Sequence, residues 1–117
     1  MPQHIEFGKR GEDLAALWLE KEGYLILVRN WRHGRLEIDI IASKNNLLHF
    51  IEIKSRHCTA FGLPEESVNE RKLINILAAA EEYQYLHPEW ERIQFDILAI
   101  TELGSTTEYY LIEDVYV

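Results

Sequence analysis

Asp39, Glu52 and Lys54 are the residues of this chain whose types and spacing could do chemistry. They lie in two β-branched runs, Leu36-Glu37-Ile38-Asp39-Ile40-Ile41 and Phe50-Ile51-Glu52-Ile53-Lys54-Ser55-Arg56, on either side of the polar break Ser43-Lys44-Asn45-Asn46. Runs of that composition suit strands. Asn tolerates positive φ, so Asn45-Asn46 fits a two-residue hairpin turn. Centred there, the hairpin sets Asp39 opposite Glu52, Glu37 opposite Lys54, Ile38 opposite Ile53 and Ile40 opposite Ile51. The Ile pairs then fill one face and the charged groups meet on the other, because strand side chains alternate. Directly opposed side chains sit about 5 Å apart at Cβ, and like charges there are destabilising. Two facing carboxylates need a compensator, either a divalent cation or Lys54. Hard cations such as Mg²⁺ or Mn²⁺ take oxygen ligands, commonly one or two carboxylates with water and substrate phosphate oxygens. The chemistry expected is metal-assisted reaction at a phosphate, with Lys54 positioning the attacking water or neutralising the scissile group. Glu37 would restrain Lys54 or extend the metal shell. The bland alternative is a Glu-x-Lys strand on a solvated sheet face, and a one-residue slip of register would undo the site.

The elements that must hold these residues can be read from the rest of the chain. Helix one is expected from about Phe7 to Glu22, burying Leu14, Leu17, Trp18 and the alanines, with Gly23 as its C-cap. Glu12 sits in its first turns and shares a face with Ala15, Ala16 and Leu19. It either complements the helix N-terminus or points at the sheet. Tyr24 to Trp31 reads as a strand, followed by the hairpin and a loop from Thr59 to Pro64. Ser67-Val68-Asn69-Glu70 forms a capping box that opens a helix to about His87, with Leu73, Ile76, Leu77, Ala80 and Tyr83 at helical spacing and Pro88 behind it. Arg92–Thr101 and Glu108–Val117 are further strands joined at Gly104-Ser105. The order is αβββαββ: an α/β fold with a central mixed sheet flanked by helices, its near-continuous apolar strands covered on both faces.

At 117 residues the chain is expected to be one domain over residues 1–117, with a core that needs no staples. Its only cysteine, Cys58, excludes an internal disulfide and makes a reducing compartment, the cytoplasm, the default. No apolar run reaches a membrane span, and the start of the chain has no signal-peptide core. Five scattered histidines lack ligand spacing, and Cys58 beside His57 reads as a spectator thiol. Asp96, in Phe95-Asp96-Ile97-Leu98-Ala99-Ile100, is either a buried structural acid or a neighbour of the site. Tyr109, Tyr110 and Tyr116 read as packing in the last strand.

The net charge of −8 argues against a polyanionic partner, but its distribution is uneven. Residues 1–28 carry −2, residues 29–72 carry +2, and residues 73–117 carry −8. A divalent ion on Asp39 and Glu52 would make the middle third distinctly positive. Arg32, Arg35, Arg56, Arg71 and Lys72 are its candidate phosphate contacts. The acidic last third would face away from a nucleic acid, or face a protein partner.

The same residues carry a family resemblance. Gly8-Lys9-Arg10-Gly11-Glu12 with Ala15, Arg29-Asn30-Trp31-Arg32, Glu37-Ile38-Asp39-Ile40-Ile41-Ala42 and Phe50-Ile51-Glu52-Ile53-Lys54-Ser55-Arg56 open the pattern. Phe61-Gly62, Pro64-Glu65-Glu66-Ser67-Val68, Arg71-Lys72 and Phe95-Asp96-Ile97-Leu98-Ala99-Ile100 complete it. With these residues the chain resembles the YraN-like family, related to Holliday junction resolvases within the PD-(D/E)xK, restriction-endonuclease-like superfamily. The resemblance implies a nuclease core and a divalent-metal-dependent endonuclease acting on nucleic acid, with branched DNA among the candidate substrates. It maps Asp39 onto the metal-binding Asp and Glu52 with Lys54 onto the (D/E)xK half-motif. Glu12 maps onto the helix-one Glu that helps hold metal or water. Leu36 stands where the family often has Gly, and the chain is more acidic than is common there. Phosphate contacts dominate nucleic-acid affinity, so weak or partner-assisted binding is expected. Two rival readings stand beside the nuclease. One is a catalytically silent nuclease-fold module that binds nucleic acid or a protein. The other is an α/β assembly protein forming a homodimer through its last strand.

Overall fold

A computed structural model describes residues 3–57 and 70–115, with side chains over 11–55 and 74–115. The expected order αβββαββ is observed: α1 (Gln3–Lys21), β1 (Leu25–His33), β2 (Leu36–Lys44), β3 (Leu47–His57), α2 (Glu70–Leu86), β4 (Ile93–Leu103) and β5 (Thr106–Ile112). The five strands form one mixed sheet in the order β1-β2-β3-β4-β5. Its β3–β4 pair is parallel and spans α2, while the other three pairs are antiparallel. No described helix is long and apolar enough to cross a membrane. The Thr59–Pro64 loop, Cys58, Tyr116 and residues 67–69 of the capping box lie outside the described residues.

Local chemistry explains the joints. Gly23 has φ +97; its N–H bonds to the Glu20 carbonyl, and the Tyr24 N–H reaches back to Leu19, closing α1 with a Schellman motif. Asn45 and Asn46 both adopt positive φ, as a type I′ hairpin requires, and fix the register at Lys44–Leu47 through Ile40–Ile51. β4 and β5 turn at Gly104-Ser105 with Leu103 paired to Thr106.

Each face of the sheet carries a helix. Ala15, Ala16 and Leu19 of α1 pack on Ile40, Ala42, Ile51, Leu98 and Ile100. Ala79, Ala80 and Tyr83 of α2 pack on Ile41, Leu48, Phe50 and Phe95. The small residues let both helices lie close to the strands. The period-3.6 reading overreached at the margins. Leu17 is 57% exposed and Leu77 is 41% exposed, because alanines, not leucines, face the sheet at those turns. The expectation that Ile38 shares a face with Ile40 also fails. Ile38 packs in the α2 cluster, as does Ile41 three residues on, so alternation breaks between them. β1 breaks at the same level, with Val28 and Trp31 both on the α2 side. Between them Asn30 has φ +54, a left-handed residue that turns the strand about its axis.

Candidate functional site

The sheet forks at Asp39. From the Asn-Asn turn to Ile40–Ile51 the strands β2 and β3 are paired; beyond that point the ladder ends. β2 continues alongside β1 as far as His33–Leu36, and β3 continues alongside β4 as far as His57–Glu102. The expected cross-strand pairs Asp39–Glu52, Ile38–Ile53 and Glu37–Lys54 therefore do not form. The physical reason is visible in one bond: Asp39 Oδ2 accepts the Ile53 N–H at 2.8 Å. A side-chain carboxylate takes the place of a backbone carbonyl, so the N–H stays satisfied while the strands separate. A cavity of about 320 Å³ opens in the fork, with Arg35, Glu37, Asp39, Glu52, Asn75 and Ile76 among its lining residues.

Asp39 and Glu52 line one cavity, across the fork instead of across a ladder. The Asp39 carboxyl is pushed up to about 6. Burial is the main cause, partly offset by the Ile53 N–H, and the charges of Glu52, Glu12 and Glu37 raise it further. Lys54 Nζ lies 3.7 Å from Glu52 Oε1, with side-chain exposures of 16% and 13%. A half-buried Glu-x-Lys pair on one strand face is not a solvated surface pattern. Glu37 accepts a 2.9 Å hydrogen bond from Arg32 Nε, its exposed partner in the β1–β2 ladder.

α1 lies unusually close to β3 at Gly11. A Cβ on Gly11 would collide with the Ser55 hydroxyl and sit 3.0 Å from the Ser55 Cβ. Only glycine permits that approach, and it sets the next residue, Glu12, where its charge acts on Asp39. Glu12 Oε2 accepts a 3.1 Å hydrogen bond from Asn30 Nδ2, and Asp13 pairs with Arg29 at 2.7 Å.

Among the described residues no three His, Cys, Asp or Glu side chains are gathered closely enough to hold a metal ion. The protein donor set at the fork is thus the two carboxylates Asp39 and Glu52, with Glu12 contributing charge. Two carboxylates completed by water and phosphate oxygens suit a hard divalent cation. An Asp held near pH 6 by burial and like charges is the kind of group such a cation relieves.

Of the candidate phosphate contacts, Arg32 is tied to Glu37 and Arg35 is exposed at the rim of the fork. Arg56 lies on β3, and Arg71 and Lys72 lie on α2; their side chains fall outside those described. Asp96 is both a buried, hydrogen-bonded acid and a neighbour of the site, since it also lines the fork cavity. Its Oδ2 lies 2.6 Å from His49 Nδ1, and its Oδ1 accepts from Gln94 Nε2 and the Asp114 N–H. Sequence reasoning missed three contributors: Gly11, Asn30 and His49. A glycine inside a helical pattern and an asparagine inside a Leu-Ile-Leu-Val strand were the available signals for the first two. His49 and Asp96 are 47 residues apart and meet only across the sheet, so local pattern carried no signal.

Comparison with known proteins follows the same residues. A family model described as "Uncharacterised protein family UPF0102" matches residues 11–100, from the close-packed glycine of α1 to the end of the buried run of β4. A UPF0102 protein of Bacteroides thetaiotaomicron is 43% identical over 100 residues, covering 86% of this chain and 83% of its own length. One from Cytophaga hutchinsonii is 46% identical over 99 residues, covering 85% and 88%. One from Flavobacterium johnsoniae is 42% identical over 110 residues, covering 91% and 89%. The resemblance read from the motifs thus holds at the level of the family: this chain belongs to the UPF0102 family.

Proposed function

We propose that the fork is the active site of a divalent-metal-dependent nuclease that hydrolyses phosphodiester bonds in DNA, on a restriction-endonuclease-like arrangement of the sheet. One observation carries the reading: two half-buried carboxylates, Asp39 and Glu52, line one cavity where the sheet opens, and Lys54 Nζ lies 3.7 Å from Glu52. Burying like charges together is costly; Lys54 offsets part of that charge, and a divalent cation would offset the rest. Asp39 and Glu52 are the residues that would hold Mg²⁺ or Mn²⁺. Bound there, the ion supplies a lowered pKa for a coordinated water and positive charge for the phosphorane-like transition state.

The remaining steps belong to the protein. The Ile53 N–H holds one oxygen of the Asp39 carboxylate, and Asp39 lines the cavity. Glu52 keeps Lys54 in place, and the Lys54 ammonium orients the attacking water or offsets charge on the scissile phosphate. Glu12 acts through water. Arg35 at the rim meets the phosphate backbone, with Arg56, Arg71 and Lys72 as further contacts.

The test is cleavage of supercoiled and branched DNA in Mn²⁺ by the wild type, Asp39→Ala and Lys54→Ala, with circular dichroism to check folding. Both variants should stay folded and lose at least about a hundredfold in rate, the scale for removing one electrostatic group from a site. Equal cleavage by all three proteins refutes the proposal. A specific observation keeps the silent module as a second reading. Arg29 and Arg32 are already paired within the chain, which reduces the positive charge offered to a polyanion. Calorimetry showing no divalent binding at millimolar concentration would favour that module.

A further inference from the structure

Asn30 is an outlier without a structural excuse of the usual kind. It lies inside β1, not in a turn, yet its φ is +54. Left-handed backbone costs a residue with a Cβ about 1 kcal/mol, and Asn is depleted in strands. Asn30 is exposed, so core burial does not offset this. Such strain persists where surrounding structure over-determines it, and it clusters at functional sites.

Its location supplies the reason. Arg29 pairs with Ile40 and Trp31 with Ile38, which sets Asn30 across from Asp39, at the fork. The left-handed turn does two things at once. It sends Trp31 to the α2 face, where the indole packs edge-on against Tyr83 at 5.4 Å. It also leaves the Asn30 amide on the α1 side, where Nδ2 donates to Glu12 Oε2. Arg29 beside it grips Asp13, the next residue of the helix. Two adjacent strand residues therefore hold two adjacent helix acids. The Glu12 tie works against repulsion, because Glu12 is one of the carboxylates whose charge Asp39 feels.

We infer that Asn30 is a positioning residue: its left-handed backbone and its side-chain amide together hold the Glu12 carboxylate on the α1 side of the sheet at the level of Asp39, where its charge supports an ion bound by Asp39 and Glu52. This rests on the metal-site reading above. It assigns a role to the Asn of Arg29-Asn30-Trp31-Arg32 that neither strand packing nor phosphate contact supplies.

Calorimetric titration with Mn²⁺ separates the outcomes, using wild type, Asn30→Gly, Glu12→Ala and the double variant, each with a thermal melt. Glycine adopts φ +54 freely, so Asn30→Gly keeps the backbone and removes only the amide. Its melting temperature should stay within a few degrees of wild type. Its Mn²⁺ affinity should fall about tenfold, the scale for losing a residue that orients a metal's surroundings. Glu12→Ala should fall similarly, and the double variant no further, because both changes break one linkage. Wild-type affinity in Asn30→Gly, or losses that add in the double variant, overturns the inference alone. So does a melt lowered by more than about 10 °C in Asn30→Gly, which would make the residue structural. A wild type that binds no Mn²⁺ overturns the metal-site reading and this inference with it.

Discussion

Asp39→Asn should make the metal-free protein more stable at pH 8, and the amount can be worked from the site. In the folded protein the Asp39 carboxyl is pushed up from an ordinary 3.8 to about 6, chiefly by burial. Proton affinity is thus about a hundredfold higher in the folded state, equivalent to roughly 3 kcal/mol. The sign follows from linkage. The folded state holds this proton more tightly than the unfolded state, so stability falls as pH rises from about 4 through about 6. Above that window the ionised carboxylate withholds the full amount. Asparagine is neutral at every pH, and its carbonyl can still accept the Ile53 N–H that Asp39 Oδ2 now accepts. In EDTA the variant should match wild type near pH 4 and exceed it by about 1–3 kcal/mol at pH 8. Urea denaturation at half-unit pH steps measures this directly. Mn²⁺ should then reverse the order: wild type gains stability by binding the ion and the variant does not. Ion binding should weaken below about pH 6 as the proton competes. A variant less stable than wild type at pH 8 in EDTA would refute the account of Asp39 as a buried, like-charge-stressed carboxylate.

Two further predictions concern packing. Gly11→Ala gains helix propensity of about 1 kcal/mol but drives a methyl into Ser55, and overpacking of that kind costs about 1–3 kcal/mol. The expected result is a lower melting point together with weaker Mn²⁺ binding, because Glu12 is lifted from the sheet; a stabilised variant with unchanged binding would show that the close approach is not needed. Asp96→Asn either sets its amide against His49 Nδ1 and forces the other imidazole tautomer, or takes the acceptor from Gln94 Nε2 and the Asp114 N–H, and a buried polar group left unsatisfied costs about 1–3 kcal/mol. A urea midpoint unchanged from wild type would show that the His49–Asp96 contact contributes nothing.

The parts of the fold governed by local rules were legible in the sequence. Asn45-Asn46 specified the hairpin and its register from Lys44–Leu47 to Ile40–Ile51. Gly23 and Gly104 marked a helix end and a turn because only positive φ serves there. The composition of the runs separated helices from strands and gave the element order. What was not legible is where regularity stops. Period-2 reasoning continues a ladder until a turn interrupts it, so it kept Asp39 opposite Glu52 and Ile38 on the Ile40 face. Nothing in an alternation pattern says that an aspartate will take a backbone N–H from the facing strand, or that an Asn will go left-handed in mid-strand. Those events are set by tertiary partners: Ile53 for Asp39, and Glu12 on α1 for Asn30.

The two irregularities belong together and bear on how the site can work. Had the ladder run on as the pattern implied, Asp39 and Glu52 would be a directly opposed pair about 5 Å apart at Cβ, with the strands closed beneath them. Such a pair can share a cation but leaves no room for a phosphate. The observed fork keeps the carboxylates near each other and adds a cavity of about 320 Å³ bounded by Asn75 and Ile76 of α2. Separating two strands inside a core exposes backbone polar groups that must be satisfied. Asp39 satisfies one of them, the Ile53 N–H. On the other side of β2, Asn30 departs from regular strand geometry at the same level. On the proposed reading, the residue that would hold the ion would also keep open the space for a phosphate, which is why Asp39→Asn, which keeps the opening and removes the charge, separates the two roles better than Asp39→Ala.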